Sequence, residues 1–250
     1  MKIGILQYDI SWEDRKKNRQ RISEILKGAP ELDWIILPEM SLSGFSMDSQ
    51  KTTIDEDDLL FIKNTAIAQK AFLTTGAVRE SKNCLITVDP EGSELPVYAK
   101  MHLFSFAREN HHYQNGTEPV SLQIKGWRIT PAICYDLRFA NLFWESAPRT
   151  DLYIVIANWP ASRREHWITL LRARAIENQS FVVGVNRIGK DPNNEHCGDS
   201  LVINPFGEIL LHSDNREGLF TAQISLDQVE EVREKFQFIP DRRDIKASLS

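Results

Sequence analysis

Apolar residues recur along this chain in short blocks, and the spacing inside each block predicts its element. Ile3 to Tyr8 is short, apolar and β-branched, which predicts a buried strand. Arg15 to Lys27 sets Ile22, Ile25 and Leu26 among charges at the spacing of an amphipathic helix, and Gly28 and Pro30 end it. Trp34 to Leu37 predicts a second strand that runs into Pro38-Glu39, with a loop from Ser41 to Ser49 around Gly44. Asp55 to Asp58 supplies acids where a helix N-terminus favours negative charge, ahead of a helix over Leu59 to Lys70. Phe72 to Val78 predicts a strand. A hairpin of Cys84 to Val88 and Leu95 to Tyr98 follows, its Asp89-Pro90-Glu91-Gly92 corner having type I turn composition.

The second half repeats this order. IGILQYD, Ile3 to Asp9, matches TPAICYD, Thr130 to Asp136, and DWIILP from Asp33 echoes DLYIVIANWP from Asp151. FLTTG from Phe72 returns as FVVG from Phe181, and the corner at Asp89 returns as Asn204-Pro205-Phe206-Gly207. A helix after Pro160 carries Trp167, Leu170, Leu171 and Ala175 on one face and opens on Ser162-Arg163-Arg164-Glu165, a capping-box pattern. Four echoes in one order predict a single α/β domain over 1–250, built of two related halves with sheets face to face and helices outside. Lys190 to Glu195 and the polar tail from about residue 241 read as flexible.

Composition narrows the class. With 42% hydrophobic residues, 26% charged and a formal net charge of −5, the chain suits a soluble globular protein and does not suit a nucleic-acid binder, which needs a basic face. Its apolar runs are too short to span a bilayer, which argues against a membrane partner. Three widely spaced cysteines, Cys84, Cys134 and Cys197, and no signal-peptide run at the start suit reduced thiols in the cytoplasm.

Three strand ends carry reactive groups. Glu39 follows WIILP, Lys100 follows VYA and Cys134 follows ITPAI. Singly they read as a turn carboxylate, a surface lysine and a packed thiol; together they are the base, oxyanion stabiliser and nucleophile of an acyl-transfer site. A thiol of ordinary pKa, about 8.5, needs both a base and a nearby cation to become thiolate at neutral pH. Cys84, in a strand, reads as core, and Cys197, beside Gly198-Asp199, as a loop thiol. No metal is expected: His102, Glu109, His111, His112 and His166 show no helical ligand spacing.

LPEMSLSGF around Glu39, YAKMHLF around Lys100, ICYDLRF around Cys134, and the later IANWPASRREHW, LLRARAIENQ and GDSLVINPFGEIL resemble the nitrilase or carbon-nitrogen hydrolase superfamily over almost the whole chain. The resemblance implies a four-layer αββα sandwich of two pseudo-symmetric halves. It assigns Glu39 as general base, Lys100 as cationic oxyanion partner, Cys134 as nucleophile and Glu109, in FAREN, as a supporting carboxylate, with no cofactor. The backbone N–H of Tyr135 would be the second oxyanion donor. ICYDLRF followed by ANWP, RARAIENQ, REKF and DRRD is most similar to bacterial ω-amidases, which implies hydrolysis of short 2-oxo dicarboxylate monoamides, α-ketoglutaramate and α-ketosuccinamate, to ammonia and the dicarboxylate. Ala140-Asn141 departs from relatives that carry proline there, which implies a different wall beside the nucleophile.

Such a substrate needs a cation, for which Arg138 is the first candidate, with a structural salt bridge as its other reading. Asn158 and Trp159 would face the same mouth, and Phe45 would wall the pocket or pack. Alternatives are an amidase or carbamoylase for another small linear amide, and a catalytically silent binding or scaffold protein. The resemblance also implies a homodimer or higher homo-oligomer that exchanges C-terminal tails, which suits Phe236, Phe238 and Ile239.

Overall fold

Alternation along the central strands decides the architecture. In the computed structural model, which describes residues 1–243, Ile3 and Ile5 of strand β1 (Lys2–Gln7) point into one apolar cluster and Leu6 into another, all of them buried. A strand buried on both faces needs a layer on each side. The same split recurs in β2 (Trp34–Ile36), β7 (Trp127–Ile133), β8 (Leu152–Ile156) and β9 (Phe181–Val185). Ile36, Ile133, Ile154, Ile156 and Val183 share the inner cluster where the two sheets meet.

One sheet runs β14 (Gly218–Gln223), β1, β2, β3 (Phe72–Arg79), β4 (Lys82–Val88), β5 (Tyr98–Ala99); the other runs β6 (Leu122–Ile124), β7, β8, β9, β12 (Leu201–Ile203), β13 (Ile209–His212). In each, three central strands are parallel and are flanked by antiparallel ones. β1, β2, β3 and β4 therefore occupy the places of β7, β8, β9 and β12, and all four sequence echoes fall on equivalent strands or corners. Helices α1 (Arg15–Leu26) and α3 (Glu56–Gln69) cover the first sheet through Ile22, Leu26, Ile62 and Ala66. Helices α4 (Ala140–Ser146) and α5 (Arg164–Asn178) cover the second through Phe143, Trp167, Leu171 and Ala175. The four-layer αββα sandwich is thus as expected. A short α2 (Ser49–Thr52), a two-stranded ribbon of β10 (Ile188–Lys190) and β11 (Glu195–Cys197), and α6 (Leu226–Lys235) complete the elements.

Local chemistry accounts for most boundaries. Asp14 caps α1 by accepting the Lys17 N–H, and Asp55 and Asp58 form a reciprocal capping box on α3. Three expectations are adjusted. The hairpin at the Asp89 corner forms, with Val88 bridged to Glu94, but its second strand is regular only over Tyr98–Ala99, and a tighter hairpin joins β3 to β4 through Glu80 and Ser81, both at positive φ. Ser162 does not cap α5: it lies in a 3₁₀ turn over Ala161–Arg163, and Glu165 pairs with Arg164. Lys190 to Glu195 is an ordered hairpin tip, where Asp191 accepts the Asn193 and Asn194 N–H groups. Asp244 of DRRD and the tail beyond it lie outside the described residues. Phe236 packs edge-on against Phe206 of its own chain, and Phe238 is about half exposed. Among the described residues no helix is long and apolar enough to cross a membrane.

Candidate active site

The parallel strands β2, β7 and β8 deliver Glu39, Cys134 and Asn158 to one end of the sandwich, and β5 delivers Lys100 to the same place. Glu39, Lys100 and Glu109 are fully buried. Lys100 Nζ donates to Glu39 Oε1 at 2.9 Å and to both Glu109 oxygens at 2.9 and 3.1 Å. Burying charge is costly unless each charge is paired and bonded. Here both carboxylates are: Asn83 Nδ2 donates to Glu39 Oε1 at 2.8 Å and Glu109 Oε1 at 2.9 Å. The Asn158 N–H serves Glu39 Oε2 at 2.8 Å, and the Phe104 N–H serves Glu109 Oε2 at 2.6 Å.

Asn83 has no place among the residues singled out from the sequence, yet hairpin register could have found it. Cys84 pairs with Ala99, so Asn83 stands opposite Lys100, whose N–H donates to the Asn83 carbonyl. Placing the second strand over Leu95 to Tyr98 hides that pairing.

Cys134 closes β7 at a φ of +47°, a left-handed conformation rare for a residue with a Cβ, and opens a 3₁₀ turn over Cys134–Arg138. Asp136 holds this corner. Its buried carboxylate accepts from the Ile133 N–H, the His102 N–H and the Tyr98 hydroxyl, and its Oδ1 lies 2.8 Å from the His102 ring. Burial pushes the Cys134 thiol well above the ordinary range; the charge of Glu39 adds to this and Lys100 opposes it. One ammonium is outnumbered here by two carboxylates, so the cation alone does not make the thiolate and the need for a base stands. Burial also lowers the proton affinity of Lys100, but Glu109 and Glu39 outweigh it, so the ammonium is held protonated. The other two thiols are pushed up to about 11, Cys84 by burial in the core and Cys197, half-buried on β11, by burial and Asp199.

A cavity of about 540 Å³ opens over Cys134. Phe45, Tyr135, Arg138, Asn158 and Trp159 line it, so the residues expected to face the mouth do so. The Phe45 ring centroid lies 5.1 Å from Lys100 Nζ. Asn158 Nδ2 also donates to the Glu39 carbonyl at 2.7 Å, so Asn158 braces Glu39 as well as lining the cavity. Among the described residues Arg138 meets no carboxylate: its guanidinium lies 4.7 Å from the Trp159 ring centroid and beside His166 Nδ1. Ala140 and Asn141 are exposed in the first turn of α4 and do not form the wall beside Cys134. Arg163, also unremarked in the sequence, lines the cavity with its guanidinium 5.6 Å from the Phe104 ring centroid. The histidines considered as metal ligands do not gather there; among the described residues the His and carboxylate trio at ligand spacing is Asp199, His212 and Asp214, where Arg164 already holds Asp199.

At one end of an αββα sandwich, then, a cavity-lining thiol stands over a buried ammonium held between two buried carboxylates. Residues 2–234 match the carbon-nitrogen hydrolase family, and the chain belongs to that family. It is 40% identical over 243 residues to the omega-amidase YafV of Escherichia coli strain K12, with 94% of each chain covered. A 2-oxoglutaramate amidase of Bacillus subtilis strain 168 is 32% identical over 254 residues, covering 97% of this chain and 98% of that one. Among solved structures, XC1258 of Xanthomonas campestris, a CN-hydrolase superfamily protein with an arsenic adduct in its active site, is similar at a TM-score of 0.91, with 35% identity and 98% of both chains covered. The family resemblance of the sequence motifs is borne out.

Proposed function

We propose that this protein is an ω-amidase: it hydrolyses the terminal amide of short 2-oxo dicarboxylate monoamides, α-ketoglutaramate and α-ketosuccinamate, through a thioester on Cys134. The observation that carries the reading is Lys100 held between Glu39 and Glu109 beside a thiol at a strained corner, under a cavity that also receives Arg138. A silent binding protein would gain nothing from burying three charges there. The omega-amidase and 2-oxoglutaramate amidase relatives support the substrate class.

In the first half-reaction Glu39 takes the Cys134 proton as sulfur attacks the amide carbon, so no free thiolate is needed. Lys100 and the Tyr135 N–H stabilise the oxyanion, each such donor being worth about 3–4 kcal/mol. Glu39 returns the proton to nitrogen, the C–N bond breaks and ammonia leaves. Glu39 then takes a proton from water, the hydroxyl oxygen attacks the thioester, the C–S bond breaks and the proton returns to sulfur. Glu109 touches no reacting atom here; it fixes Lys100 and, through the Phe104 N–H, the loop that borders the cavity. Arg138 meets the far carboxylate.

Ammonia release across a panel of short amides, with and without a 2-oxo group and a second carboxylate, tests this. The 2-oxo dicarboxylate monoamides should be the best substrates, and Cys134→Ala should lower their turnover by roughly three orders of magnitude or more. Release at the wild-type rate from Cys134→Ala would refute the mechanism, and a preference for uncharged amides the substrate.

A further inference from the structure

Three arginines border the cavity over Cys134, and Arg138 and Arg163 differ from the third, Arg108, in being half-buried rather than exposed. Arg128 and Arg233 pair with Asp151, Arg164 with Asp199, Arg174 with Glu177 and Arg187 with Asp9. Arg138 and Arg163, both half-buried, line the cavity over Cys134, and among the described residues neither meets a carboxylate. Asp191, the acid on the cavity wall, is already committed: its Oδ2 lies 2.8 Å from His196 Nε2 and its Oδ1 accepts two backbone N–H groups at 2.7 Å.

One indole contacts both arginines, the guanidinium of Arg138 and the backbone of Arg163. The Trp159 ring lies under Arg138, and Trp159 Nε1 donates to the Arg163 carbonyl at 2.8 Å. Trp159 is itself fixed, its N–H donating to Asn186 Oδ1 at 2.8 Å. Arg163 rests on Phe104, whose N–H holds Glu109, so the cation and the supporting carboxylate share one loop. Burial depresses the Arg163 pKa, and the charge of Arg138 depresses it further. Two like charges facing one cavity repel, and an anion between them offsets that cost. A guanidinium also presents a planar fork of donors that matches a carboxylate.

We infer that Arg163 acts with Arg138 as a two-guanidinium clamp on the 2-oxo acid end of the substrate, and that Arg163 is a specificity-determining residue selecting acidic over uncharged amides. This rests on the substrate class proposed above. One guanidinium takes the carboxylate, and the other spans a carboxylate oxygen and the neighbouring keto oxygen. The clamp acts on the end of the molecule remote from the scissile bond, so its loss weakens binding more than chemistry.

The test compares wild-type protein, Arg163→Met, Arg163→Lys and Arg138→Met on α-ketoglutaramate and on valeramide, an uncharged amide of the same chain length. Arg163→Met should lower kcat/KM for α-ketoglutaramate by about 10- to 100-fold, chiefly through KM, the range expected for a hydrogen bond to a charged group. Valeramide hydrolysis should change by less than about twofold, and Arg163→Lys should recover part of the loss. Protection of Cys134 from iodoacetamide by 2-oxoglutarate provides a readout without turnover: half-protection should need about 10- to 100-fold more 2-oxoglutarate in Arg163→Met. Equal losses on both amides, or unchanged KM and protection, would overturn the assignment of Arg163. Wild-type protein that hydrolyses valeramide as well as α-ketoglutaramate would instead remove the substrate class itself, and the clamp with it.

Discussion

Lys100 carries one positive charge between two carboxylates, and that imbalance sets the chemistry of Cys134. A thiolate beside this trio would raise the buried negative charge, which is why burial and Glu39 together push the thiol up despite the ammonium. The raised pKa keeps sulfur protonated at neutral pH, and a thiolate forms only as pH climbs past the ordinary thiol range. Ultraviolet thiolate absorbance, taken as wild-type protein minus Cys134→Ala across a pH titration, should therefore show no step below about pH 9. A step near neutrality would mean a resting thiolate and a different division of labour between Lys100 and Glu39. Glu39, Lys100 and Cys134 were legible in the sequence because each ends an apolar strand and stands in a motif. Asn83 and Arg163 were not: an asparagine inside a strand and an arginine in a run of charges acquire meaning only from what they face.

At the scale of elements, the strand-end loop carrying Glu39 lies directly on β3. A Cβ added to Gly76 would come 2.5 Å from Glu39 Cα and Met40 N, and the Gly76 N–H already donates to the Pro38 carbonyl. The glycine of the equivalent strand β9, Gly184, stands one place earlier in the register and faces side chains of α5, the nearest being Leu171 Cδ1 at 2.4 Å. Backbone cannot yield as a leucine tip can. Both Gly→Ala changes should cost about 1–3 kcal/mol in denaturant unfolding. Gly76→Ala should also lower kcat at least about tenfold by displacing Glu39, while Gly184→Ala keeps kcat within about twofold. Equal kcat values in the two variants would show that the Glu39 loop tolerates movement. Element types followed from periodicity, since alternation and the 3.6-residue stripe both reflect which side chains meet the core. Boundaries were harder. The Ser162 pattern carries capping-box letters, but a 3₁₀ turn places the helix start one residue later, and Glu80-Ser81 turns tightly without the glycine or asparagine that usually marks such a turn.

Over the whole molecule, the two halves are one plan used twice, and the echoes between them were readable because equivalent strands occupy equivalent buried places in the two sheets. What the halves do not share is the chemistry. The strand echo aligns Tyr8-Asp9 with Tyr135-Asp136, yet Asp9 pairs with Arg187 while Asp136 braces the corner at Cys134. The end where β2, β5, β7 and β8 converge gathers residues from both halves, so a site of this kind becomes legible as a site only when the pairing of the sheets is known. In the proposed mechanism Cys134 carries the acyl group during turnover. Acid quenching of the protein during hydrolysis of α-ketoglutaramate, followed by peptide mass spectrometry, measures this directly. A hydroxylamine-labile acyl adduct is expected on Cys134 and absent from Cys84 and Cys197. Full-rate ammonia release with no adduct on Cys134, or with the adduct on another cysteine, would contradict it.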